Sequence, residues 1–290
     1  VINSSQRLII IGRAGVGVDN VDVKTATQKG VLVVNSPGGN TIAAAEHAIA
    51  MMLALSRNIH LAHASTMLGK WERKNFVGNE LFNKTLGVVG LGKIGTHVAK
   101  VANALGMEVI GYDPFVSSER AQQMHVKLSE LNLLFEVSDY VTLHLPRTVE
   151  TENLVDIKML KSMKNTAKLI NCARGGIIDE NALADALNTS LIGGAAIDVF
   201  SEEPLDINSP LLKVEKNIIL TPHLGASTKE AQENVAIDVA EQIRDVLLGL
   251  SARTAVNIPG LSPDIMDSLK PHLQLAETLG LLISQLSGGQ

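Results

Sequence analysis

The sequence predicts an α/β protein with a doubly wound parallel sheet and a second, smaller domain. Short apolar runs rich in Val and Ile alternate with helical patterns along most of the chain. A glycine turn, Gly90-Leu91-Gly92-Lys93-Ile94-Gly95, directly follows one of those runs. Polar side chains follow several later runs, at the edge where an open parallel sheet binds its ligands. These observations together favour a nucleotide-binding sheet.

Composition excludes several classes of protein. The 290 residues are enough for two domains, and 46% of them are apolar, so a large core can form. The net charge of −5, without a long basic run, argues against nucleic acid as the main partner. One cysteine, Cys172, rules out an internal disulfide and a cysteine-based zinc site, and it fits a reducing compartment. The best candidate for a membrane span, Ile42–Leu55, contains Glu46 and His47, so none is expected.

The alternation of apolar and helical patterns sets the predicted elements. Strands are predicted at Leu8–Ile11, Val31–Val34, Leu86–Val89, Glu108–Tyr112, Tyr140–Leu143, Lys168–Cys172, Ala195–Val199 and Ile218–Leu220. Helices are predicted at Gly95–Leu105, Asp156–Met163, Asp179–Leu187 and Thr228–Leu248, with Ser129 as the cap of another. The six strands from Leu86 to Leu220 would form one complete nucleotide-binding unit.

The same patterns predict the domain limits. We expect a dinucleotide-binding domain at 37–226 and a remnant of a substrate domain at 1–36 and 227–257. Residues 258–290 read as a linker with Pro259, Gly260 and Pro263, followed by a helix near Leu273–Leu286 that starts a further domain. The stretch Thr41–Leu68 is helical and apolar almost all round, so we expect it to join two domains and to pack against a second subunit. A buried core helix of a monomer is the alternative.

The glycine turn is interpreted as a dinucleotide site. Gly90 permits the tight turn, Gly92 lets the backbone approach a pyrophosphate, and Gly95 lets helix and strand pack closely. The next strand ends at Tyr112-Asp113, and Asp113 lies 18 residues past Gly95, the spacing expected for a carboxylate that accepts hydrogen bonds from a ribose. The same carboxylate would repel the 2′-phosphate of NADP, so NAD is the predicted cofactor. A methyltransferase that binds S-adenosylmethionine is the competing interpretation.

Three polar residues follow later strands and form the predicted reacting group. Arg174 suits a carboxylate and a neighbouring carbonyl, and His223 can take or give a hydroxyl proton near neutral pH. Glu203 or its neighbour Glu202 would orient that histidine, and spacing alone does not choose between them. His144 also ends a strand and is the rival base. Cys172 is interpreted as a small packed residue rather than a nucleophile.

Six segments carry a family resemblance. They are Gly12-Arg13-Ala14-Gly15-Val16-Gly17-Val18-Asp19-Asn20-Val21-Asp22, Gly69-Lys70-Trp71-Glu72-Arg73-Lys74, the glycine turn, Asn171-Cys172-Ala173-Arg174-Gly175-Gly176, Asp198-Val199-Phe200-Ser201-Glu202-Glu203-Pro204 and Pro222-His223-Leu224-Gly225-Ala226-Ser227-Thr228-Lys229-Glu230-Ala231-Gln232. In these segments the chain resembles the D-2-hydroxyacid dehydrogenase family, and the last resembles a branch that acts on a phosphorylated 2-hydroxy acid. The resemblance implies a Rossmann domain and an incomplete flavodoxin-like substrate domain.

The resemblance also implies roles for individual residues. Arg174 would anchor the substrate carboxylate, and Glu203 rather than Glu202 would support His223 as the proton carrier. The implied lining of the NAD site is Gly90, Gly92, Lys93, Ile94, Gly95, Asp113, Cys172, Ala173, Arg174, Asp198, His223, Gly225 and Ala226. The implied substrate side is the backbone of Gly15, Val16 and Gly17, with Asn40 and Arg73 as further candidates.

Several expectations and alternatives accompany this interpretation. The family pattern implies that the chain is a piece of a longer protein, and a homodimer or higher homo-oligomer is expected from the apolar stretch Thr41–Leu68. A cytoplasmic location is expected, or the plastid stroma if a transit peptide lies upstream. A glyoxylate, hydroxypyruvate or D-lactate reductase of the same family is the alternative enzyme. An NAD-sensing transcriptional corepressor is the alternative outside catalysis.

Overall fold

A computed structural model describes residues 1–258 and 263–286. The chain divides into two compact units. The larger unit is Asn40–Gln232, and the smaller one combines Val1–Gly39 with the chain from Glu233 onward. Pro259 and Gly260 of the predicted linker lie outside the described residues. The domain limits at 37 and 226 stay a prediction.

The larger unit is built on a seven-stranded parallel sheet. The strands of the described chain are β1 (Ile10–Arg13), β2 (Leu32–Asn35), β3 (Thr85–Val89), β4 (Glu108–Tyr112), β5 (Lys127–Leu128), β6 (Tyr140–Leu143), β7 (Lys168–Asn171), β8 (Gly194–Ile197) and β9 (Ile218–Leu220). In the larger unit their spatial order is β5-β4-β3-β6-β7-β8-β9, and every neighbouring pair is parallel. The chain therefore winds outward in both directions from β3, which confirms the predicted doubly wound fold.

Strand β5 is absent from the sequence prediction. It has only two residues, Lys127 and Leu128, which is too short to produce an apolar run. Two other strands end earlier than predicted, since β7 stops at Asn171 and β8 at Ile197. Cys172 and Asp198 consequently lie just beyond the strands, in loops.

Helices connect the strands. They are α1 (Val23–Gln28), α2 (Thr41–Ser56), α3 (Ile59–Met67), α4 (Lys93–Ala104), α5 (Ser118–Gln123), α6 (Leu131–Val137), α7 (Ile157–Ser162), α8 (Glu180–Asn188), α9 (Lys229–Leu247) and α10 (Pro263–Leu286), with 3-10 turns at Ile2–Ser4, Arg73–Phe76 and Pro210–Lys213. Side-chain caps begin several of them. The carboxylates of Asp156 and Asp179 accept hydrogen bonds from the first-turn N–H groups of α7 and α8. Glu130, not the predicted Ser129, is the cap position of α6.

The predicted helix at Thr41–Leu68 is wrong as a single element. It breaks between α2 and α3 at Asn58, whose φ of 52° lies in the left-handed region that Asn tolerates better than most residues. The carbonyl of Ser56, at the end of α2, accepts the N–H of Asn79 instead of continuing the helix. Gly78 is needed beside this contact, because a Cβ there would lie 2.4 Å from the same carbonyl oxygen.

Two apolar clusters cover the two faces of the large sheet. Successive strand residues alternate between them: Leu169 belongs to one cluster and Ile170 to the other. The first cluster contains side chains of α6, α7 and α8, and the second contains those of α2 and α4. Because helices bury both faces, the strands are apolar over most of their length, as is typical of a parallel sheet.

The smaller unit has a sheet of two parallel strands, β1 and β2. Both lie one or two residues later than predicted. The unit's core comprises Ala26, Val31 and Val33, with α1 packed beside β2. Helix α9 lies against β1 so closely that a Cβ on Gly12 would come within 2.4 Å of Val239. In residues 1–258 and 263–286, no helix combines the length and apolar character needed to cross a membrane.

Candidate active site

The register of the central strands brings three polar positions to one edge of the sheet. Val89 of β3 is aligned with Tyr112 of β4 on one side and with Leu143 of β6 on the other. The next residues along these strands are Gly90, Asp113 and His144. They therefore lie side by side at the carboxyl edge, where the strand order reverses and open α/β sheets bind ligands.

The glycine turn has the shape that a dinucleotide phosphate requires. Gly90 has a φ of 95°, and a Cβ on it would lie 2.5 Å from the carbonyl oxygen of His144. Gly95 faces the turn so closely that a Cβ would lie 1.9 Å from the Gly90 oxygen. Gly92, by contrast, faces open space and precedes α4 without a side-chain cap. The first N–H groups of this 12-residue helix are thus available to an anion, so these residues fit a pyrophosphate.

Asp113 links the turn to the end of β4. One carboxylate oxygen accepts the N–H of Leu91 at 2.8 Å, and the other accepts the N–H of Phe115 at 2.9 Å. A carboxylate has about four acceptor positions, so two remain for ribose hydroxyls. The residue predicted from spacing is therefore held in place by the glycine turn itself.

His144 is poorly suited to carry a proton near neutral pH. Burial lowers the pKa of its imidazole from 6.5 to about 4. Its Nε2 lies 2.9 Å from the hydroxyl oxygen of Thr142, one of the last residues of β6. His144 belongs to the phosphate half of the edge, beside Gly90.

The register of the last three strands aligns a second group of residues. Asn171 of β7 pairs with Ile197 of β8, and Ile197 pairs with Leu220 of β9. The residues that follow, Cys172, Asp198 and Thr221, therefore lie next to one another at the same edge as the glycine turn. From here three loops lead to Arg174, Glu203 and His223.

His223 and Glu203 are in direct contact. The Nδ1 atom of His223 lies 2.6 Å from Oε2 of Glu203, and the other carboxylate oxygen accepts the N–H of Phe200 at 3.0 Å. The two side chains are 47% and 36% exposed, so a ligand can reach them. With its Nδ1 proton donated to the carboxylate, the imidazole keeps Nε2 as a proton acceptor. Glu203, rather than Glu202, makes this contact.

The loop of Arg174 packs against the loop of Glu203. The carbonyl of Arg174 accepts the side-chain N–H of Asn171 at 2.9 Å, and its guanidinium donates to the Ala173 carbonyl at 2.6 Å. A Cβ on Gly175 would lie 1.7 Å from the Phe200 oxygen, so the two backbones touch there. Phe200, whose N–H donates to Glu203, thus also contacts the turn that carries Arg174.

The carboxylate of Asp198, just after β8, accepts hydrogen bonds from the loop that carries His223. Its side chain is fully buried, and its oxygens accept the N–H groups of Leu224 and Gly225 at 2.8 Å each and the hydroxyl of Thr221. Burial raises the pKa of Asp198, but these hydrogen bonds and one from His47 outweigh burial and leave the pKa below its usual value. Burial and the charge of Asp198 raise the pKa of the Cys172 thiol, which is therefore a neutral packed group.

Sequence reasoning missed His47. This residue of α2 places Nε2 at 3.1 Å from Asp198, and together with the Cys172 sulfur their ligand-type atoms lie within 4.8 Å of one another, close enough to surround a metal ion. The one available signal was a lone imidazole in the apolar run of α2. Nothing in that run indicates which distant residue it contacts.

The remaining predicted residues lie in several places. Lys93 and Ile94 form the first turn of α4, and Ala226 lies in the tight turn after Gly225, where the N–H of Ser227 donates to the Leu224 carbonyl. Arg73 begins a 3-10 turn. The substrate-side loop residues Gly15, Val16 and Gly17 belong to the smaller unit, where the carbonyl of Gly15 accepts the N–H of Ser36.

Asn40 is the cap position of α2 in the larger unit. Its side-chain oxygen is buried and, within the described residues, has no hydrogen-bond partner. Its substrate-side role, implied by the family resemblance, stays a prediction.

The fold and the glycine turn define a Rossmann dinucleotide-binding domain. Residues 49–225 match the family described as D-isomer specific 2-hydroxyacid dehydrogenase, NAD binding domain. The chain belongs to this family, and NAD is its cofactor, as predicted.

Several known proteins are similar along the whole chain. D-3-phosphoglycerate dehydrogenase of Synechocystis sp. is 62% identical over 100% of this chain and 52% of its own length. The protein of the same name from Archaeoglobus fulgidus is 50% identical over 100% of this chain and 55% of its own. The chain thus spans about half the length of the curated relatives it matches. Among solved structures, D-lactate dehydrogenase from Aquifex aeolicus with NAD and lactic acid gives a TM-score of 0.80 at 28% identity, covering 88% of this chain and 82% of that one.

Proposed function

We propose that the protein to which this chain belongs oxidises 3-phosphoglycerate to 3-phosphohydroxypyruvate, the first step of serine biosynthesis. The observation that carries the proposal is the contact between His223 and Glu203 beside the Arg174 turn. An imidazole, a carboxylate and a guanidinium at one sheet edge are the groups that a 2-hydroxy acid needs for oxidation. The names of the relatives with 62% and 50% identity support the choice of substrate.

The His223–Glu203 pair would manage the proton. The chemistry that NAD supplies when bound is acceptance of a hydride, here from C2 of the substrate. His223 accepts the proton of the C2 hydroxyl at Nε2, so the products are a keto acid, the reduced cofactor and a protonated imidazole. Glu203 keeps the ring oriented through Nδ1 and stabilises the imidazolium that forms.

The other residues would bind and orient the ligands. Arg174 presents a planar fork of donors to the substrate carboxylate. The turn at Gly92 and the start of α4 would hold the pyrophosphate, and Asp113 the ribose. On the substrate side we propose the backbone of Gly15, Val16 and Gly17, with Asn40.

We also propose that the protein acts as a homodimer in the cytoplasm. Large apolar side chains after α3 are exposed, among them Leu68 at 75% and Trp71 at 81%, as expected of a surface that a second copy covers. Sedimentation analysis tests the homodimer, because a monomer at micromolar concentration would contradict that part of the proposal.

The substrate assignment is tested with the intact native protein. Formation and consumption of NADH are followed by absorbance with a panel of 2-hydroxy and 2-keto acids: 3-phosphoglycerate, glyoxylate, hydroxypyruvate and D-lactate with their redox partners. We expect the highest kcat/KM with the phosphorylated pair. A higher value with an unphosphorylated acid would indicate one of the family's reductases instead. Tight NADH binding without any turnover would favour a corepressor.

A further inference from the structure

The loop that carries His223 is held by one buried carboxylate. Asp198 receives the N–H groups of Leu224 and Gly225 and the hydroxyl of Thr221, and its carbonyl accepts the N–H of His223 at 2.8 Å. The loop thus has at least four hydrogen bonds to a single residue. It needs them, because His223 has a φ of 56°, in the left-handed region that costs a residue with a Cβ some free energy.

A fully buried carboxylate requires partners on every side. Removing an ionised group from water is costly unless donors or a cation replace its hydration. The loop supplies three donors to the two carboxylate oxygens of Asp198. A second element, α2, supplies His47, whose side chain is 19% exposed and whose Nε2 lies 3.1 Å from Oδ1 of Asp198.

The hydrogen-bond pattern assigns the proton on His47. The hydroxyl of Thr221 donates to Asp198, so the oxygen that lies 3.3 Å from His47 Nε2 can only accept from it. The carboxylate oxygen is likewise an acceptor. Nε2 therefore carries a hydrogen that it shares between Asp198 and Thr221, and His47 is a donor to both.

The hydrogen bond from His47 stabilises the buried charge of Asp198. A second titratable group beside the carboxylate is Cys172, just after β7, and its thiol is neutral because burial and the Asp198 charge raise its pKa. His47 alone of these two neighbours can compensate the buried charge. The hydrogen bond and the charge of His47 both lower the pKa of Asp198.

We propose that His47 is a positioning residue: by donating a hydrogen bond to Asp198 it fixes the loop of residues 221–225 and thereby the imidazole of His223. The expected effect on kcat rests on the proposed function, whereas the contact between His47 and Asp198 does not. Helix α2 would then affect the reaction through His47, although the helix lies outside the loops that carry Arg174, Glu203 and His223.

The test compares two substitutions with a control in the intact native protein. His47→Leu removes the donor and puts an apolar side chain in its place, and His47→Gln keeps an N–H donor without an imidazole. His97→Gln removes a histidine of α4 and serves as the control. Amide hydrogen exchange of Leu224 and Gly225, kcat, and KM for both ligands are measured for each protein.

We expect His47→Leu to accelerate exchange at Leu224 and Gly225 by about tenfold and to lower kcat by about tenfold, the scale of one hydrogen bond to a buried charge. Amide exchange in β7 and β8 should change less than threefold, and so should the KM values. Global destabilisation would not produce this difference between the loop and the strands. His47→Gln should recover most of both losses, and His97→Gln should resemble the wild type.

Two results would overturn the inference. One is unchanged exchange and kcat in His47→Leu, and the other is a His47→Gln variant as impaired as His47→Leu. Both are separable from the proposed function, which is tested by His223→Ala. If His223→Ala retains turnover, the proposed function fails, while the exchange data still decide whether His47 holds the loop.

Discussion

The two halves of the candidate site are built in different ways. The dinucleotide half, at the ends of β3, β4 and β6, consists of backbone: three glycines, a helix N-terminus and one carboxylate that bonds the turn. The reacting half, at the ends of β7, β8 and β9, consists of side chains from three loops that contact one another. The first half depends on the absence of side chains, and the second on the positions of a few of them.

The largest expected effect on stability distinguishes two glycines of the first half. Gly95→Ala places a Cβ 1.9 Å from the Gly90 oxygen, so we expect a loss of ~3 kcal/mol in the free energy of unfolding together with loss of NADH binding. Gly92→Ala meets open space and has an ordinary φ of −66°, so stability should stay within ~1 kcal/mol while NADH affinity falls. Thermal unfolding and NADH fluorescence titration measure both. Equal stability of the two variants would contradict the packing account.

A smaller effect is expected at Asp113 of the same half, where two substitutions distinguish the role of the charge from that of the hydrogen bonds. Asp113→Asn removes the charge that repels a 2′-phosphate and keeps an oxygen for one backbone N–H. The ratio of kcat/KM for NAD to that for NADP should fall by about tenfold, or ~1.4 kcal/mol. Asp113→Ala should lower it similarly but also weaken the turn. Unchanged discrimination in both variants would count against a ribose contact.

The smallest effect concerns His144 and pH. Its pKa of about 4 in the folded protein lies below the 6.5 of an exposed imidazole, so between these values the unfolded chain binds a proton that the folded chain does not. Stability is therefore full above about pH 6.5 and falls as pH falls toward 4. His144→Gln should lose ~1 kcal/mol less than the wild type between about pH 7 and about pH 5.5. Parallel unfolding curves for the variant, the His97→Gln control and the wild type would contradict the assignment.

The two halves also differ in how far the sequence predicts them. The glycine turn is contiguous, and each glycine has a steric reason, so both the motif and NAD could be predicted. The parallel sheet followed from apolar runs alternating with helices, and the fold class is confirmed. The strand β5 could not be found because two residues leave no periodic pattern.

The reacting half depends on contacts that no spacing reveals. The end-of-strand rule selected Arg174, Glu203 and His223 but left Glu202 and Glu203 equivalent. The family resemblance favoured Glu203, and the structure has an oxygen of Glu203 against the imidazole. His47 lies on a helix far from these loops in sequence, and its partner Asp198 is defined only by the register of β7, β8 and β9. The break at Asn58 was missed for the same reason, because a nonlocal hydrogen bond from Asn79 ends α2.

In the proposed reaction the imidazole of His223, oriented by Glu203, carries the proton. The most direct test of this role is the turnover of His223→Ala with 3-phosphoglycerate and NAD, measured beside NADH affinity by fluorescence. We expect a fall in kcat of about 10³-fold, within the usual contribution of general acid–base catalysis, with the NADH Kd unchanged to within about twofold. A variant that retains most of its rate would contradict this role.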